Sequence, residues 1–426
     1  MNLPIKQLLP TLKERGFIYQ LTDESGLIKA LEASEITCAY IGFDCTAPSL
    51  HVGSLLQIMF LRIMQQHGIK PLVLLGGATT RIGDPSGKDE TRRVLDDAEI
   101  AQNMAGIRKV FEKFLRFDGP NAAEIVNNAD WLDRLGYIDL LRNVGRHFSI
   151  NHMLSMETVQ TRLERSHHLN FVEFNYMIFQ AYDFVELQRR YNCRVQIGGS
   201  DQWGNIVSGV ELSRKMLVAE GKKPQEIFGI TTPLLTTANG VKMGKTVNGA
   251  VWLSPDLLSA YDYWQFWRNV DDADVEKFLL LFTEIPSAEI KREIASARGT
   301  SAINEWKKKL AYATTSLLHG EAAAKLAAET AQKTFEGGGV GEGLPSFIVP
   351  ASELESGFSL LKALVSLDFA SSIGEARRLI RGNAVRVNDE AIADEQFALS
   401  VKHLENPAGI KISAGKKRHG LVVVKN

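Results

Sequence analysis

Apolar runs and helix-length amphipathic segments alternate along the first half of this chain. The apolar run that ends at Phe43 predicts a buried strand, and residues 55–64, which are apolar nearly all round, predict a helix with little exposed surface. The same pattern predicts further strands at residues 71–77, 124–128 and 194–199, and further helices at residues 97–115, from Trp131, at 171–187 and up to Ala219. We therefore expect an α/β fold whose first domain is a Rossmann-like parallel sheet with helices on both faces.

The second half of the chain has a different pattern. Residues 253–335 carry helical periodicity without a strand signal, which predicts an all-α domain, and residues 336–344 contain too much glycine for either element. Near the C-terminus, Ser372 and Glu375 predict a capping box that starts a helix, and residues 384–388 resemble one arm of a hairpin, which together predict a small α+β module. An insertion at 142–165 is interpreted as a loop and a helix that make dimer contacts. The predicted domains are 1–235, 236–335, a linker at 336–356, and 357–426.

Composition narrows the class of protein. The chain has 426 residues, of which 45% are hydrophobic, so several domains with large cores are expected. A net charge of −1 restricts any nucleic-acid contact to a local basic surface. Three cysteines without a C-x-x-C pair argue against a disulfide framework and against a thiolate zinc site. The sequence has neither a signal-peptide pattern nor an apolar run of membrane-spanning length, and we expect a cytoplasmic protein.

The first candidate for chemistry is the loop between the first predicted strand and helix. It places His51 and Gly53 at a helix N-terminus, where unpaired N–H groups and the helix dipole favour phosphate. A histidine there can equally be a simple cap. Far downstream, Lys242 and Lys245 lie in a polar segment next to glycine and could close over the same phosphates. A P-loop is disfavoured because the segment after these lysines does not predict a helix, and no G-x-G-x-x-G follows a strand.

Three polar residues share one face of the helix predicted at 171–187. Tyr176, Gln180 and Asp183 recur at helical spacing among apolar neighbours, so they need hydrogen-bond partners, and a ligand can supply them. Asp84 and Asp201 follow other predicted strands, where a turn or an N-cap would explain each of them without a ligand.

Seven stretches carry these candidate residues in a fixed order along the chain: YIGFD (40–44), SLHVG (49–53), GGATTRIGDPSGK (76–88), YMIFQAYDF (176–184), QIGGSDQWGN (196–205), KMGKT (242–246) and EARRLIRGNAVRVN (375–388). Together they resemble the tyrosyl-tRNA synthetases of the bacterial type, which are class I aminoacyl-tRNA synthetases. The resemblance implies a ligase that joins tyrosine to ATP as tyrosyl-adenylate and then transfers the tyrosyl group to the terminal adenosine of tRNA. It also implies a homodimer, no tightly bound cofactor, Mg²⁺ that arrives with ATP and no metal site of the protein's own.

The resemblance also implies a role for each matching residue. Tyr40 and Asp183 would bind the phenolic hydroxyl of the substrate. Tyr176, Gln180 and Asp84 would bind its ammonium group, and Gln202 would lie near its carboxylate. The residues implied in ATP binding are Gly42, Asp44, His51, Gly53, Ser54, Gly199, Asp201 and Lys245. Those implied in catalysis around the phosphates are Thr46, His51, Lys242, Lys245 and Thr246.

The resemblance also implies a function for each predicted domain. Residues 1–235 would be catalytic and 236–335 would carry the lysine loop and an all-helical tRNA-binding domain. Residues 357–426 resemble the RNA-binding module of a small-subunit ribosomal protein, in which Arg377, Arg378 and Arg381 would contact tRNA. The chain departs from the usual pattern at Ser54, where the family often has a second histidine.

Three other functions fit parts of the sequence. A nucleotidyltransferase could use the His-x-Gly signature, but such enzymes are short and lack the lysine loop. An RNA-binding protein that has lost catalysis would not need His51, Lys242, Lys245, Asp183 and Gln180 together. A tryptophanyl-tRNA synthetase is the nearest relative in chemistry, and the pair Tyr40 and Asp183 favours a phenol over an indole.

Overall fold

A computed structural model describes residues 3–85, 95–164, 169–246, 249–336, 343–415 and 418–425. It contains two compact units, Met1–Leu257 with Asp271–Trp306, and Leu258–Val270 with Lys307–Asn426. Within the described ranges, none of the helices combines the length and hydropathy that a membrane span requires.

The first unit is built on a six-stranded sheet. Its strands are β1 (Gln20–Leu21), β2 (Cys38–Phe43), β3 (Lys70–Leu75), β4 (Glu124–Asn127), β5 (Val195–Gly199) and β6 (Phe228–Thr232). Their spatial order is β1-β6-β5-β2-β3-β4, and all neighbours are parallel except β1, which is antiparallel to β6. The predicted parallel sheet is confirmed, while β1 is too short to produce a period-2 signal in the sequence.

The strand order reverses direction at β2. The chain moves from β2 to β3 on one side and returns to β5 on the other, so the loops after β2 and β5 diverge. In an open parallel sheet such a switch point leaves a crevice at the carboxyl ends of the strands, and ligands bind there. β2 is buried from Cys38 to Ile41, and its last two residues emerge at this crevice.

The helices follow the predicted alternation. In chain order they are α1 (Leu8–Glu14), α2 (Glu24–Glu32), α3 (Leu55–Gln66), α4 (Asp97–Phe114), α5 (Ala129–Leu132), α6 (Tyr137–Asp139), α7 (Ile150–Leu154), α8 (Glu157–Glu164), α9 (Phe171–Tyr191), α10 (Trp203–Ala219), α11 (Ala260–Arg268), α12 (Val275–Phe282), α13 (Ser287–Ala297), α14 (Ile303–His319), α15 (Glu321–Glu336), α16 (Ala351–Ser356), α17 (Leu360–Ser366) and α18 (Ile373–Arg381). The all-helical character predicted for residues 253–335 is thus confirmed from α11 to α15.

Two helical predictions need correction. The helix expected from Trp131 begins at Ala129, where the Asn127 side chain accepts the first amide at 3.0 Å, and it lasts one turn. The insertion at 142–165 holds two α-helices, α7 and α8, where one was expected. They form because Met153 and Val159 recur on a face that packs in one core cluster with residues of α9.

The second unit ends in a five-stranded sheet whose neighbouring strands are, in order, Glu390–Ala391, Val385–Val387, Ile410–Ala414, Arg418–Lys425 and Ser346–Pro350. The remaining strands are β7 (Lys245–Thr246), β8 (Gly249–Ala250), β9 (Ser346–Pro350), β10 (Phe358–Ser359), β11 (Val385–Val387), β12 (Glu390–Ala391), β13 (Ala398–Leu399), β14 (Ile410–Ala414) and β15 (Arg418–Lys425). β9 pairs in parallel with β15, so the stretch assigned to the linker is folded from residue 346 onward. Residues 337–342 of that stretch lie outside the described ranges.

The predicted capping box of α18 is only half formed. The Ser372 hydroxyl accepts the Glu375 amide at 3.3 Å, as expected of an N-cap. The Glu375 carboxylate does not return to the N-cap amide, because it accepts instead from the amide and the hydroxyl of Ser371, at 2.8 and 2.6 Å. The helix start is therefore fixed by two consecutive serines.

Candidate active site

A cavity of ≈ 370 Å³ opens at the switch point of the six-stranded sheet. Strand ends, the start of α3 and one face of α9 contribute to its walls. The predicted site residues that line it are Tyr40, Gly42, Asp44, Thr46, His51, Gly53, Ser54, Asp84, Tyr176, Gln180, Asp183, Gly199, Asp201 and Gln202. The structure thus brings together residues from distant parts of the sequence at one position.

Asp183 lies at the closed end of this cavity with almost no exposed surface. Trp131 Nε1 donates to one carboxylate oxygen at 2.8 Å, and Asn128 Nδ2 donates to the other at 3.0 Å. Burial raises the pKa of Asp183 to about 7. The two hydrogen bonds oppose this shift because they lower the pKa, and repulsion from Asp44 and Glu186 adds a smaller increase. This carboxyl group can therefore change its charge near neutral pH.

The Tyr40 side chain lies beside Asp183, and its hydroxyl is buried without a hydrogen-bond partner among the described residues. The ring meets Phe184 edge-on at a centroid distance of 5.3 Å. Burial and the neighbouring Asp183 charge raise the pKa of Tyr40 well above its usual range. A buried hydroxyl without a partner is costly, so a ligand hydroxyl at this end of the cavity would satisfy a group that the protein leaves unpaired.

Asp44, at the end of β2, connects two other elements of the wall. Its Oδ1 accepts from the Tyr176 hydroxyl at 3.2 Å and from the Thr79 hydroxyl at 3.1 Å. Tyr176 comes from α9 and Thr79 from the loop after β3, so a single carboxylate ties three segments together. It also adds negative charge next to Tyr176.

A chain of amide side chains connects α9 to the loops after β3 and β5. Asn205 Nδ2 donates to Gln180 at 3.0 Å and to Gln202 at 3.1 Å, and Gln202 Nε2 donates to Asp84 at 2.9 Å. These contacts orient the side-chain oxygen of Gln180 and one oxygen of Asp84. The structure therefore groups Asp84 with Gln202, and groups Tyr176 with Asp44.

Sequence reasoning missed four residues that hold this site together. Asn128 and Thr79 both follow strands at the carboxyl edge of the sheet, and that position was an available signal. Trp131 and Asn205 lie on helices whose local patterns give no sign that their polar atoms face inward. Their contacts depend on how the helices pack against the sheet.

His51 caps the 3₁₀ turn Val52–Ser54, which leads into α3. Its Nδ1 accepts the Gly53 amide at 3.0 Å, so in the neutral ring the proton is on Nε2. A Cβ atom added to Gly53 would lie 2.6 Å from His51 Cε1 and 2.9 Å from the Met243 carbonyl oxygen. The absence of a side chain at Gly53 is therefore a packing requirement.

The predicted lysine loop begins as a tight hairpin, which we call the lysine hairpin (residues 235–243). The Met243 amide donates to the Leu235 carbonyl at 2.8 Å, and Thr236 pairs with Lys242 in a β-bridge. Burial raises the pKa of Asp201, whereas the charge of Lys242 lowers it, so these two side chains interact electrostatically.

The segment that follows the lysine loop is joined to the His51 segment through the backbone. The Val52 amide donates to Val251 at 2.9 Å, and the Leu253 amide donates to Leu50 at 2.8 Å. Both signatures are therefore adjacent in space, as the sequence predicted. The side chains of Lys245 and Thr246 lie outside the described part of the structure, and their roles stay predictions.

The three predicted RNA-contact arginines are exposed on α18. Arg381 forms a bidentate ion pair with Glu395, and Arg377 lies 4.0 Å from the same carboxylate. Hydrogen bonds from Ser371 lower the pKa of Glu375, and the nearby charge of Arg378 lowers it further. α18 thus presents a basic surface that Glu395 and Glu375 partly neutralise.

The chain matches known families along most of its length. Residues 33–336 match the family model described as tRNA synthetases class I (W and Y), and residues 359–403 match the S4 domain. The tyrosine--tRNA ligase of Zymomonas mobilis is 57% identical, and that of Bradyrhizobium diazoefficiens is 54% identical, each over 97% of both chains. A solved structure, a C-terminally truncated mitochondrial tyrosyl-tRNA synthetase of Aspergillus nidulans, superposes with a TM-score of 0.69 at 31% identity, covering 77% of this chain and 94% of that one.

Proposed function

This chain belongs to the class I tRNA synthetases of the tryptophan and tyrosine type and ligates tyrosine to tRNA, and we propose that the cavity at the sheet switch point carries out the first chemical step. The observation that supports this assignment best is the buried, unpaired hydroxyl of Tyr40 beside Asp183. A phenol donates to the carboxylate and accepts from the tyrosine hydroxyl, so tyrosine satisfies both groups.

The amino group of the substrate would be held on the α9 side of the cavity. We assign it to Tyr176, Gln180 and Asp84, the set implied by the resemblance. The contact between Tyr176 and Asp44 supports adding Asp44 to this set, because a second carboxylate near the hydroxyl stabilises an ammonium ion. Gln202, held by Asp84 and Asn205, would face the reacting carboxylate.

ATP would enter at the start of α3. The N–H on His51 Nε2, the hydroxyl of Thr46 and the charges of Lys242 and Lys245 would surround the phosphates, while Gly53 admits the nucleoside close to the backbone. Asp201 would accept from the ribose hydroxyls. Gly42, Ser54 and Gly199 would line this part of the cavity, and Thr246 would assist at the phosphates.

Mg²⁺ would arrive on the phosphate oxygens of ATP. Among the described residues no group of three His, Cys, Asp or Glu side chains is arranged to hold a metal ion by itself. Carboxylates such as Asp44 and Asp201 do line the cavity, and Mg²⁺ in nucleotide sites commonly needs only one or two of them together with phosphate. The ion would supply charge neutralisation on the phosphates.

In the first step an oxygen of the tyrosine carboxylate attacks the α-phosphorus, a new P–O bond forms, and the bond to pyrophosphate breaks with the electron pair leaving on the pyrophosphate oxygen. No proton has to be removed from a carboxylate, so the protein's contribution is positioning and charge stabilisation. His51 and the lysines would stabilise negative charge that grows on the phosphate oxygens. In the second step a hydroxyl oxygen of the terminal adenosine of tRNA attacks the carbonyl carbon of tyrosyl-adenylate and forms an ester bond. The bond to AMP breaks with the electron pair leaving on the phosphate oxygen, and the hydroxyl proton passes to phosphate or solvent.

The active assembly is proposed to be a cytoplasmic homodimer. The segment from α6 to the start of α9 exposes large apolar side chains: Tyr137, Ile138, Leu141, Ile150, Leu154, Leu163, Phe171 and Val172. Such a patch on one unit is typical of an interface, and a twofold axis would cover it with a second copy. The S4 domain would contribute tRNA contacts through Arg377, Arg378 and Arg381.

Amino-acid-dependent exchange of labelled pyrophosphate into ATP tests the first step. We expect exchange with tyrosine, and little with phenylalanine or tryptophan at the same concentration. Equal exchange with tryptophan would contradict the assignment of Tyr40 and Asp183 to a phenol. Light scattering on the same sample measures the dimer, and a monomer that exchanges at the full rate would contradict the proposed assembly.

A further inference from the structure

The lysine hairpin has one edge against His51 and Gly53, and its other edge is held by residues that no predicted role includes. Asp274, which is 3% exposed, accepts the backbone amide of Ala238 through Oδ2 at 2.8 Å. Lys277 donates from Nζ to the Thr236 carbonyl at 2.6 Å. Both contacts are made to the first arm of the hairpin.

Asp274 and Lys277 both belong to the start of α12. Asp274 immediately precedes the helix and Lys277 lies in its first turn, so their spacing of three residues places both on one face. The carboxylate reaches a backbone donor and the ammonium reaches a backbone acceptor, two residues apart along the same arm. This pairing fixes the arm in both position and orientation.

α12 also packs against α3, the helix whose start carries Gly53. Gln66 and Arg62, from the C-terminal half of α3, both bind the Glu284 carboxylate just beyond α12, at 2.6 and 2.8 Å. α12 therefore connects the lysine hairpin to α3, and the residues just before α3 are those that the proposed function places at the ATP phosphates.

We propose that Asp274 and Lys277 are positioning residues for the first step, which hold the lysine hairpin where Lys242 reaches the phosphates. This inference rests on the role proposed for Lys242. Without the two contacts the hairpin would keep its internal hydrogen bonds but lose its fixed place relative to α3. Charge stabilisation in the transition state would fall, while the tyrosine end of the cavity would be untouched.

Four variants and a control test the proposal in pyrophosphate exchange. Asp274→Ala and Lys277→Met remove the contacts, whereas Asp274→Asn keeps an oxygen acceptor and Lys277→Arg keeps a donor. Losing a hydrogen bond of this kind should lower kcat/KM for ATP by about tenfold, with an unchanged Kd for tyrosine. The conservative variants Asp274→Asn and Lys277→Arg should keep much of the wild-type rate. The control is Glu276→Ala, which breaks an exposed ion pair of the same helix with Arg298 and should leave the rate unchanged.

A double-mutant cycle separates positioning from general destabilisation. If Asp274 acts through the hairpin, Asp274→Ala should cost little more once Lys242→Ala is present, and amide hydrogen exchange of residues 235–243 should rise in Asp274→Ala alone. Fully additive effects, equal loss of tyrosine binding, or unchanged hydrogen exchange would overturn the proposal. A normal rate for Lys242→Ala by itself would instead overturn the role proposed for Lys242, and with it the functional meaning of the contacts that Asp274 and Lys277 make with the hairpin.

Discussion

The Trp131 indole donates to Asp183 Oδ1 across 2.8 Å, so that a single helical turn after β4 fixes the acid that α9 delivers. Asn128, three residues earlier, holds the second oxygen at 3.0 Å. Both donors stabilise the ionised carboxylate against its burial. The part of the cavity around Asp183 is therefore organised by the segment that follows the edge strand β4, and not by α9, which carries Asp183, alone.

Replacing Trp131 by Phe should weaken tyrosine binding. Asp183 would lose a donor in a buried site, and hydrogen bonds to charged groups are worth about 1.5–3 kcal/mol. Equilibrium dialysis should show a Kd for tyrosine raised by at least tenfold, with an unchanged affinity for ATP. Thermal unfolding supplies the control, and a folded variant with normal tyrosine affinity would show that the indole contact is dispensable.

Tyrosine binding should depend on pH through Asp183. With a pKa of about 7 the acid is mostly protonated at pH 6 and mostly ionised at pH 8, and the ionised form is the stronger acceptor for the single phenol O–H. The Kd for tyrosine should therefore fall by about tenfold between pH 6 and pH 8. Asp183→Asn should remove this dependence, and an affinity that weakens toward pH 8 would contradict it.

The same group has a calculable effect on the stability of the free protein. Its pKa is raised from 3.8 to about 7 on folding, so between these values the folded state binds more protons than the unfolded state. The contribution of Asp183 to the free energy of unfolding is thus greatest below pH 4 and is lost as pH rises toward 7. Denaturant titrations of wild type and Asp183→Asn should converge at low pH and diverge near neutrality, with the variant more stable there.

Gly53→Ala should impair the use of ATP and spare tyrosine. The added Cβ would meet the His51 ring at 2.6 Å and the Met243 carbonyl oxygen at 2.9 Å, so either the ring or the lysine hairpin must move. We expect kcat/KM for ATP in pyrophosphate exchange to fall by at least tenfold. Gly374→Ala is the matched control, because its nearest contact is 3.8 Å away, and similar rates for the two variants would refute the packing argument.

The S4 surface should contribute a salt-dependent part of tRNA affinity. Removing Arg377, Arg378 and Arg381 together should reduce the slope of log K against log salt by about 2–3, because each phosphate contact releases counterions. Pyrophosphate exchange should be unaffected. Lys13→Ala, which removes an exposed charge on the first unit, is the control. An unchanged slope in the triple variant would mean that these arginines do not contact RNA.

The sequence predicted which residues meet at the cavity wherever a residue's position in the sheet determines where it lies. Asp84 and Asp201 follow predicted strands, and His51 with Gly53 follows from a helix start, because the meeting of parallel strands at one edge is a property of the fold. Tyr40 and Asp44 were indicated only by the family resemblance. Trp131 and Asn205 could not be found in this way, since their polar atoms turn inward only after helices have packed. The contact between Asp274 and the lysine hairpin could not be predicted from the sequence either, because its partner is a backbone amide, which every residue type except proline can supply.

The preference for tyrosine over phenylalanine tests the central claim most directly. Phenylalanine would leave the Tyr40 hydroxyl unpaired and would deprive the Asp183 carboxylate of the phenol donor, at about 1–3 kcal/mol for each lost hydrogen bond, so kcat/KM in pyrophosphate exchange should favour tyrosine by roughly 10²–10⁴. In Tyr40→Phe and Asp183→Asn this ratio should fall steeply, mainly because the value for tyrosine decreases. A folded Asp183→Asn enzyme that keeps the wild-type ratio would contradict the account.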